Sequence, residues 1–179
     1  MMYLDTKTTR TIFIQNPRTA SSSMTAALKP FALLRMPPHL TFEESRSYGN
    51  DGDFSFVFVR NPWDRLVSAG IFSCFFYKEP PIKENLLRWF LSNINIMSAP
   101  QVRFIVAEDD STPLFIGRYE NLEEDFKKAC KTMGVTVDLP YVNPSERASK
   151  DYRAYYDDET RAWADHYYAE DIKRFGYEF

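Results

Sequence analysis

Phe54-Ser55-Phe56-Val57-Phe58-Val59-Arg60-Asn61-Pro62 decides the fold. Up to Val59 every residue but Ser55 is apolar. Such a run suits a strand buried on both faces of a parallel sheet. Asn61 is a favoured helix N-cap and Pro62 a favoured first helical residue. Leu66, Val67, Ala69 and Gly70 continue the helix towards the aromatic cluster Phe72–Tyr77. The segment therefore reads as strand, tight turn, helix.

The same order recurs on either side. Thr11–Gln15 is a β-rich run stopped by Asn16-Pro17, and Ser21, Ser22 and Ser23 offer N-caps for a helix through Leu28. Residues 36–53 read as loop with one helical turn at Thr41–Arg46. Lys83–Met97 reads as a helix, with Leu86, Leu87, Phe90, Leu91 and Ile94 on one stripe. Pro113–Arg118 reads as a third strand. Asn121 with Glu124 then resembles a capping box, opening a helix that ends near Gly134. After a loop at Leu139–Ser149, Asp157 or Asp158 starts a last helix to about Arg174, with Trp163, Tyr167 and Ile172 inward. Strands alternating with helices imply an α/β fold, with a central parallel sheet covered on both faces. The expected organisation is a single domain over residues 1–179.

Composition narrows the class. The chain has 179 residues, 44% hydrophobic, 26% charged and 16% aromatic, with a net charge of −3. A disordered chain, a collagen-like repeat and a coiled coil are excluded. The slight acidic excess argues against a nucleic-acid binder. Two cysteines, Cys74 and Cys130, and two histidines, His39 and His166, are too few for a disulfide framework, a thiolate zinc site or a histidine-rich metal site. No run of about 18 apolar residues suits a membrane span, and the first residues lack the apolar core of a signal peptide. A soluble, cytoplasmic protein is expected. Charge is uneven, however: Lys7, Arg10, Arg18, Lys29 and Arg35 face only Asp5 before residue 42. An anion site near the N-terminus is compatible with the acidic total.

In α/β sheets ligands bind at the carboxyl ends of strands. Two of those ends carry an arginine beside a helix start, Arg18 and Arg60, and that combination suits an anion. The loop Gln15–Ser23 lacks the glycines and the Lys-Ser/Thr pair of a P-loop. It keeps the physical parts: small residues (Ala20, Ser21, Ser22), hydroxyls and a cation. By itself it also reads as a polar loop with a serine cap. Arg60 and Ser68 likewise read either as a second anion site or as a sheet-end arginine and a solvated serine.

Taken together, "IFIQNPRTASSSM" at 12–24 and "FVFVRNPWDRLVSAG" at 56–70 resemble the sulfotransferases that use 3′-phosphoadenosine-5′-phosphosulfate (PAPS). The likeness is greatest to the carbohydrate sulfotransferase branch and its small bacterial homologues. "PPHLTFEE" is similar to the family's His-x-Thr segment, "IGRYENLEEDF" to its fourth-strand motif, and "DYRAYYDDET…YYAEDIKRFGYEF" to its C-terminal ending. The resemblance spans roughly residues 11–179. It implies a P-loop-like three-layer sandwich. It also implies a 5′-phosphosulfate site at Arg18, Thr19, Ala20, Ser21, Ser22 and Ser23, and a 3′-phosphate site at Arg60 and Ser68. Arg147 and Lys150, in the late loop, are the expected closure over the 3′-phosphate. Two departures stand out: Arg18 replaces the family's lysine, and Ser21 stands in place of a glycine.

The expected reaction is in-line transfer of the sulfuryl group to a hydroxyl, releasing 3′-phosphoadenosine-5′-phosphate (PAP) without a metal. Arg18 clamps the sulfonate and leaving oxygen, and His39 is the general base, with Glu43 and Glu44 as runners-up. His166 reads as structural. Tyr119, Glu120 and Asn121 match a family motif, but helix capping and core packing explain them equally well. Phe72, Phe75, Phe76 and Tyr77 are either core or an acceptor pocket. The residues around that surface have no strong basic bias, so a neutral or weakly charged small molecule or glycan is the expected acceptor. Two other readings stay open: a non-catalytic PAP(S)-binding homologue, and a P-loop kinase, which needs magnesium.

Overall fold

The computed structural model describes residues 1–41, 44, 52–77, 86–91, 95–105, 114–142 and 149–179, leaving out the side chains of 76, 77 and 88–90. Five strands form one sheet: β1 (Met2–Asp5), β2 (Arg10–Ile14), β3 (Ala32–Arg35), β4 (Phe54–Val59) and β5 (Leu114–Arg118). The helices are α1 (Ser21–Leu28), α2 (Pro62–Tyr77), α3 (Leu86–Leu91), α4 (Leu122–Met133), α5 (Asp158–Tyr167) and α6 (Ala169–Phe175). The chain groups into two compact units, one of residues 1–59 and 103–143, the other of residues 60–102 and 144–179.

The first unit contains the sheet, in the order β3-β1-β2-β4-β5. β2, β4 and β5 are parallel neighbours, as expected. β1 runs antiparallel to both β2 and β3, so the sheet is mixed and not all parallel. β1 and β3 are only four residues long, too short for a local strand pattern. Long-range pairing, not local propensity, makes them strands.

All six side chains of β4 are buried, as its composition demands. Phe13 stacks on Phe56 at 4.7 Å between ring centres. Around them Met24, Ala27 and Leu28 of α1 and Phe126, Ala129, Cys130 and Met133 of α4 complete one core. Burial there pushes the Cys130 thiol up to about 11, so it stays protonated at neutral pH. Gly117 of β5 lies under the Phe58 ring, and a Cβ there would stand 2.5 Å from it. The strand is glycine at that point because the ring occupies the space.

The turn into α4 differs from the expected capping box. Asn121 makes no side-chain cap, because a single 3₁₀ turn at Tyr119–Asn121 reorients it. Asp125, one helical turn in, takes over. Its carboxylate accepts from the Arg118 amide at 2.9 Å, from Asn121 Nδ2 at 3.0 Å and from Lys128 Nζ at 2.7 Å. Burial pushes the Asp125 pKa up, but Lys128 and these donors outweigh it and hold the carboxyl below its ordinary range. At its far end α4 stops at Gly134, in the left-handed region at φ 67°. The hydroxyls of Thr6 and Thr8 each donate to the Met133 carbonyl there at 2.7 Å.

In the second unit Asn61 caps α2 as expected, accepting from the Trp63 and Asp64 amides at 3.1 Å each. Pro62 is the first helical residue. Of the helix expected over Lys83–Met97, residues 83–85 and 92–94 lie outside the described residues. α3 spans Leu86–Leu91, and Asn95–Met97 lie in a turn where Asn95 Oδ1 accepts from the Met97 amide. Asp157 opens α5 with a reciprocal capping box to Thr160, at 2.8 and 3.0 Å. The expected single C-terminal helix breaks at Tyr168, and α6 follows as a separate segment. Trp163, Tyr167 and Ile172 pack on the unit's core, which includes Trp63, Leu66, Val67 and Tyr168.

Asp125→Ala removes the side-chain acceptor of the Arg118 amide and frees the α4 entry. Unfolding monitored by denaturant should show a loss of about 1–3 kcal/mol. Because the folded pKa lies below the unfolded one, the carboxylate's contribution is full above the unfolded pKa. It disappears as pH falls through the folded pKa, so the variant's deficit should shrink in acid.

Candidate functional site

The loop from β2 to α1 is built against local preference. Arg18 and Ala20 both lie in the left-handed region, at φ 62° and 63°, on either side of Thr19. Non-glycine residues seldom adopt this conformation, and each costs about 1–3 kcal/mol. The surrounding contacts fix it. Asn16 Nδ2 donates to the Phe58 carbonyl at the end of β4 at 2.8 Å, and Thr19 Oγ1 donates to the Asn16 carbonyl at 2.9 Å. Left-handed residues alternating along a turn direct successive backbone N–H groups into one concavity, a nest for an anion.

α1 continues that concavity. Serine caps were expected at its start, but the N-cap position is Ala20, with no side-chain cap and no acidic residue in the first turn. The first amides, at Ser21–Ser23, thus keep their donor capacity and the positive end of the helix dipole. The hydroxyls divide. Thr19 is buried and its hydroxyl serves the loop, while Ser23 Oγ accepts from the Val142 amide at 3.1 Å. Ser21 is buried and Ser22 is exposed.

His39 belongs to the same site. Its Nδ1 lies 2.9 Å from the Gln15 carbonyl, an acceptor, so Nδ1 carries the proton and Nε2 the lone pair. Burial lowers the His39 pKa below its ordinary 6.5; the Gln15 bond opposes this, and the Arg18 charge reinforces it. His39 itself has a left-handed backbone, at φ 64°. Of the two runners-up, Glu44 accepts from the Thr41 amide at 2.7 Å and from its hydroxyl at 2.9 Å. Those bonds lower its pKa and make it a weaker base than His39. Glu43 lies outside the described residues.

In the second unit Arg60 is 5% exposed. Its Nε donates to Asp64 Oδ2 at 2.7 Å, and its Nη2 pairs with the same oxygen at 2.7 Å. Its main chain is gripped by Gln101, which sequence reasoning missed: Oε1 accepts from Arg60 N at 2.9 Å and Nε2 donates to Arg60 O at 2.8 Å. The only sequence signal was a polar residue after Pro100. Ser68 is buried in α2. Lys150 is exposed, and Arg147 lies outside the described residues. Phe75 is 82% exposed, so this member of the aromatic cluster is not core among the described residues. No helix among those residues is long and apolar enough to cross a membrane.

Residues 82–178 match the Sulfotransferase family. The chain belongs to the sulfotransferase family. An uncharacterized protein of Archaeoglobus fulgidus is 36% identical over 107 residues, which cover 58% of this chain and 85% of that one. No solved structure matches. Membership makes sulfuryl transfer to a hydroxyl acceptor the general activity. The matched sulfotransferase segment carries α3, β5, α4, α5 and α6, whereas Arg18, His39 and Arg60 precede it.

Ala20→Gly relieves a left-handed backbone while keeping the nest. The variant sulfotransferase should gain about 1 kcal/mol in unfolding free energy. Ala20→Val, β-branched at the same φ, should lose stability; equal effects would contradict the left-handed conformation.

Proposed function

We propose that this sulfotransferase transfers the sulfuryl group of PAPS to a neutral or weakly charged hydroxyl acceptor, with His39 as general base. The observation that carries the reading is the strained β2–α1 loop. Two left-handed residues, an uncapped helix start and one cation converge where a histidine of defined tautomer is hydrogen-bonded to the same loop. Strain of this kind persists where function needs the geometry. The donor set fits a phosphosulfate: amides for the anionic oxygens and a guanidinium for the charge. The P-loop-like three-layer sandwich implied by the resemblance, as one domain over 1–179, is the architecture this reading assumes.

In the proposed mechanism the Thr19–Ser23 amides and the Ser22 hydroxyl hold the 5′-phosphate. Arg18 lies against the sulfonate and the leaving oxygen. Arg60 and Ser68 hold the 3′-phosphate, with Arg147 and Lys150 closing over it. His39 Nε2 accepts the acceptor's hydroxyl proton as the new O–S bond forms and the bond from sulfur to the phosphate oxygen breaks. Arg18 and the α1 amides then stabilise the charge that develops on the departing PAP. Arg18 is planar, and it offers two parallel donors where the family's lysine offers a point charge. The exposed Phe75 suits one face of an uncharged sugar or small alcohol.

Transfer of labelled sulfate from PAPS to a panel of sugars and small alcohols tests the reading. Binding of PAP without transfer to any acceptor would favour a non-catalytic homologue. EDTA should leave transfer intact, because amides and arginines supply the positive charge; a strict magnesium requirement would favour a kinase.

His39→Ala should lower turnover about 10²–10⁴-fold with PAPS affinity nearly unchanged. The parent enzyme's acid limb has a definite sign. A base whose pKa is lowered stays unprotonated below pH 6.5. Turnover should therefore hold through that pH and fall only in more acidic solution. An acid limb centred above 6.5 would remove His39 from the role.

A further inference from the structure

Asp171, in α6, is 0% exposed. A carboxylate so buried must spend its oxygens on donors. Oδ2 accepts from the Gln101 amide at 2.8 Å and Oδ1 from the Val102 amide at 2.9 Å. These amides open the 3₁₀ turn at Gln101–Phe104. Asp171 thus caps that turn from 70 residues away in sequence.

The turn it caps presents Gln101, itself 0% exposed, to the main chain of Arg60. Gln101 donates to the carbonyl and accepts from the amide of that one residue, at 2.8 and 2.9 Å. Two bonds to both sides of one residue fix its peptide planes as a strand partner would. Arg60 is the first residue beyond β4, where no further ladder orients it.

The rest of the segment is held as tightly. Arg65, 0% exposed, donates from Nη1 to the Met97 carbonyl at 3.2 Å and from Nη2 to the Ala99 carbonyl. Tyr168 donates to the Ser98 carbonyl at 2.6 Å, and its ring lies under the Arg65 guanidinium at 5.6 Å. Burial raises the Asp171 pKa, and the Arg65 charge opposes that rise. An arginine, an aspartate and a glutamine buried together carry a large desolvation cost. An apolar core would hold the helix at less expense, but only directed bonds specify the orientation of residue 60.

We propose that Asp171 is a positioning residue for the nucleotide's 3′-phosphate: it sets the 101–102 turn, the turn aims Gln101, and Gln101 fixes the backbone from which Arg60 reaches the anion. This rests on the proposed reading of Arg60 as a 3′-phosphate ligand. Arg60 lies before the segment that matches the sulfotransferase family, whereas Gln101 and Asp171 lie within it.

The test is calorimetric titration of the full chain with PAP and, separately, with AMP, which lacks the 3′-phosphate. Arg60→Ala should reduce the PAP-to-AMP affinity ratio ten- to a hundredfold. Asp171→Asn removes one acceptor and sets an amide N–H₂ against a backbone N–H. It should lower the ratio at least tenfold while AMP affinity stays within about twofold. The double variant should match Arg60→Ala alone, since both act through one group. A ratio unchanged in Asp171→Asn, with Arg60→Ala selective, overturns the proposal. Equal losses for PAP and AMP in Asp171→Asn show a merely structural role and also overturn it. Should Asp171→Asn fail to fold, Gln101→Met decides by the same criterion. A non-selective Arg60→Ala overturns the Arg60 reading itself, and no PAP binding by the parent overturns the donor assignment.

Discussion

The parallel ladder between β2 and β4 is the constraint on which the first unit depends. It pairs Thr11 with Phe54 and Ile14 with Val57, so both strands end at the same edge of the sheet. The β2–β4 ladder stops at Ile14, while β4 runs on to Val59 paired with β5. At that edge Asn16 donates from its side chain to the Phe58 carbonyl, and so ties the loop after β2 to the end of β4. Thr19 bonds back to Asn16. With both ends of the loop held, Arg18 and Ala20 have little choice of backbone conformation. The left-handed geometry is thus imposed by pairing further down the sheet.

That imposed geometry gives the loop its electrostatic character. A relaxed serine-capped helix would have satisfied its own amides and left little for a ligand. An alanine N-cap in the left-handed region does the opposite. The carbonyl of Gln15, at the start of the same loop, orients His39, which sets the tautomer and leaves Nε2 basic. Burial and the nearby Arg18 charge then keep the ring neutral at physiological pH. A cation for charge and a neutral imidazole for the proton coexist because burial disfavours the charged ring and the Arg18 charge adds to that effect.

The second unit solves a different problem. Arg60 follows a strand and precedes a helix, and its side chain carries a buried charge. Asp64 balances that charge from the first turn of α2, and Gln101 restrains the backbone. Around the same unit the Phe179 ring lies edge-on to Trp63, Tyr152 and Tyr156, at 5.5, 5.8 and 5.5 Å. Asn61 Nδ2 donates to the Glu178 carbonyl at 3.1 Å, so the residue that caps α2 also holds the final turn of chain.

Local chemistry alone determined the features that need only neighbours in sequence. The apolar run of β4, the Asn61-Pro62 helix start, the Asp157 capping box and the left-handed stop at Gly134 each follow from a few adjacent residues. Only tertiary structure decided the rest. β1 and β3 are strands because distant partners complete their hydrogen bonds, and their antiparallel sense makes the sheet mixed. The Asn121 cap gave way to Asp125 because a 3₁₀ turn rotated the amide away. Gln101 and Asp171 act across 41 and 70 residues. No local pattern encodes such a contact: a buried polar group takes whichever partner the packed chain brings within about 3 Å.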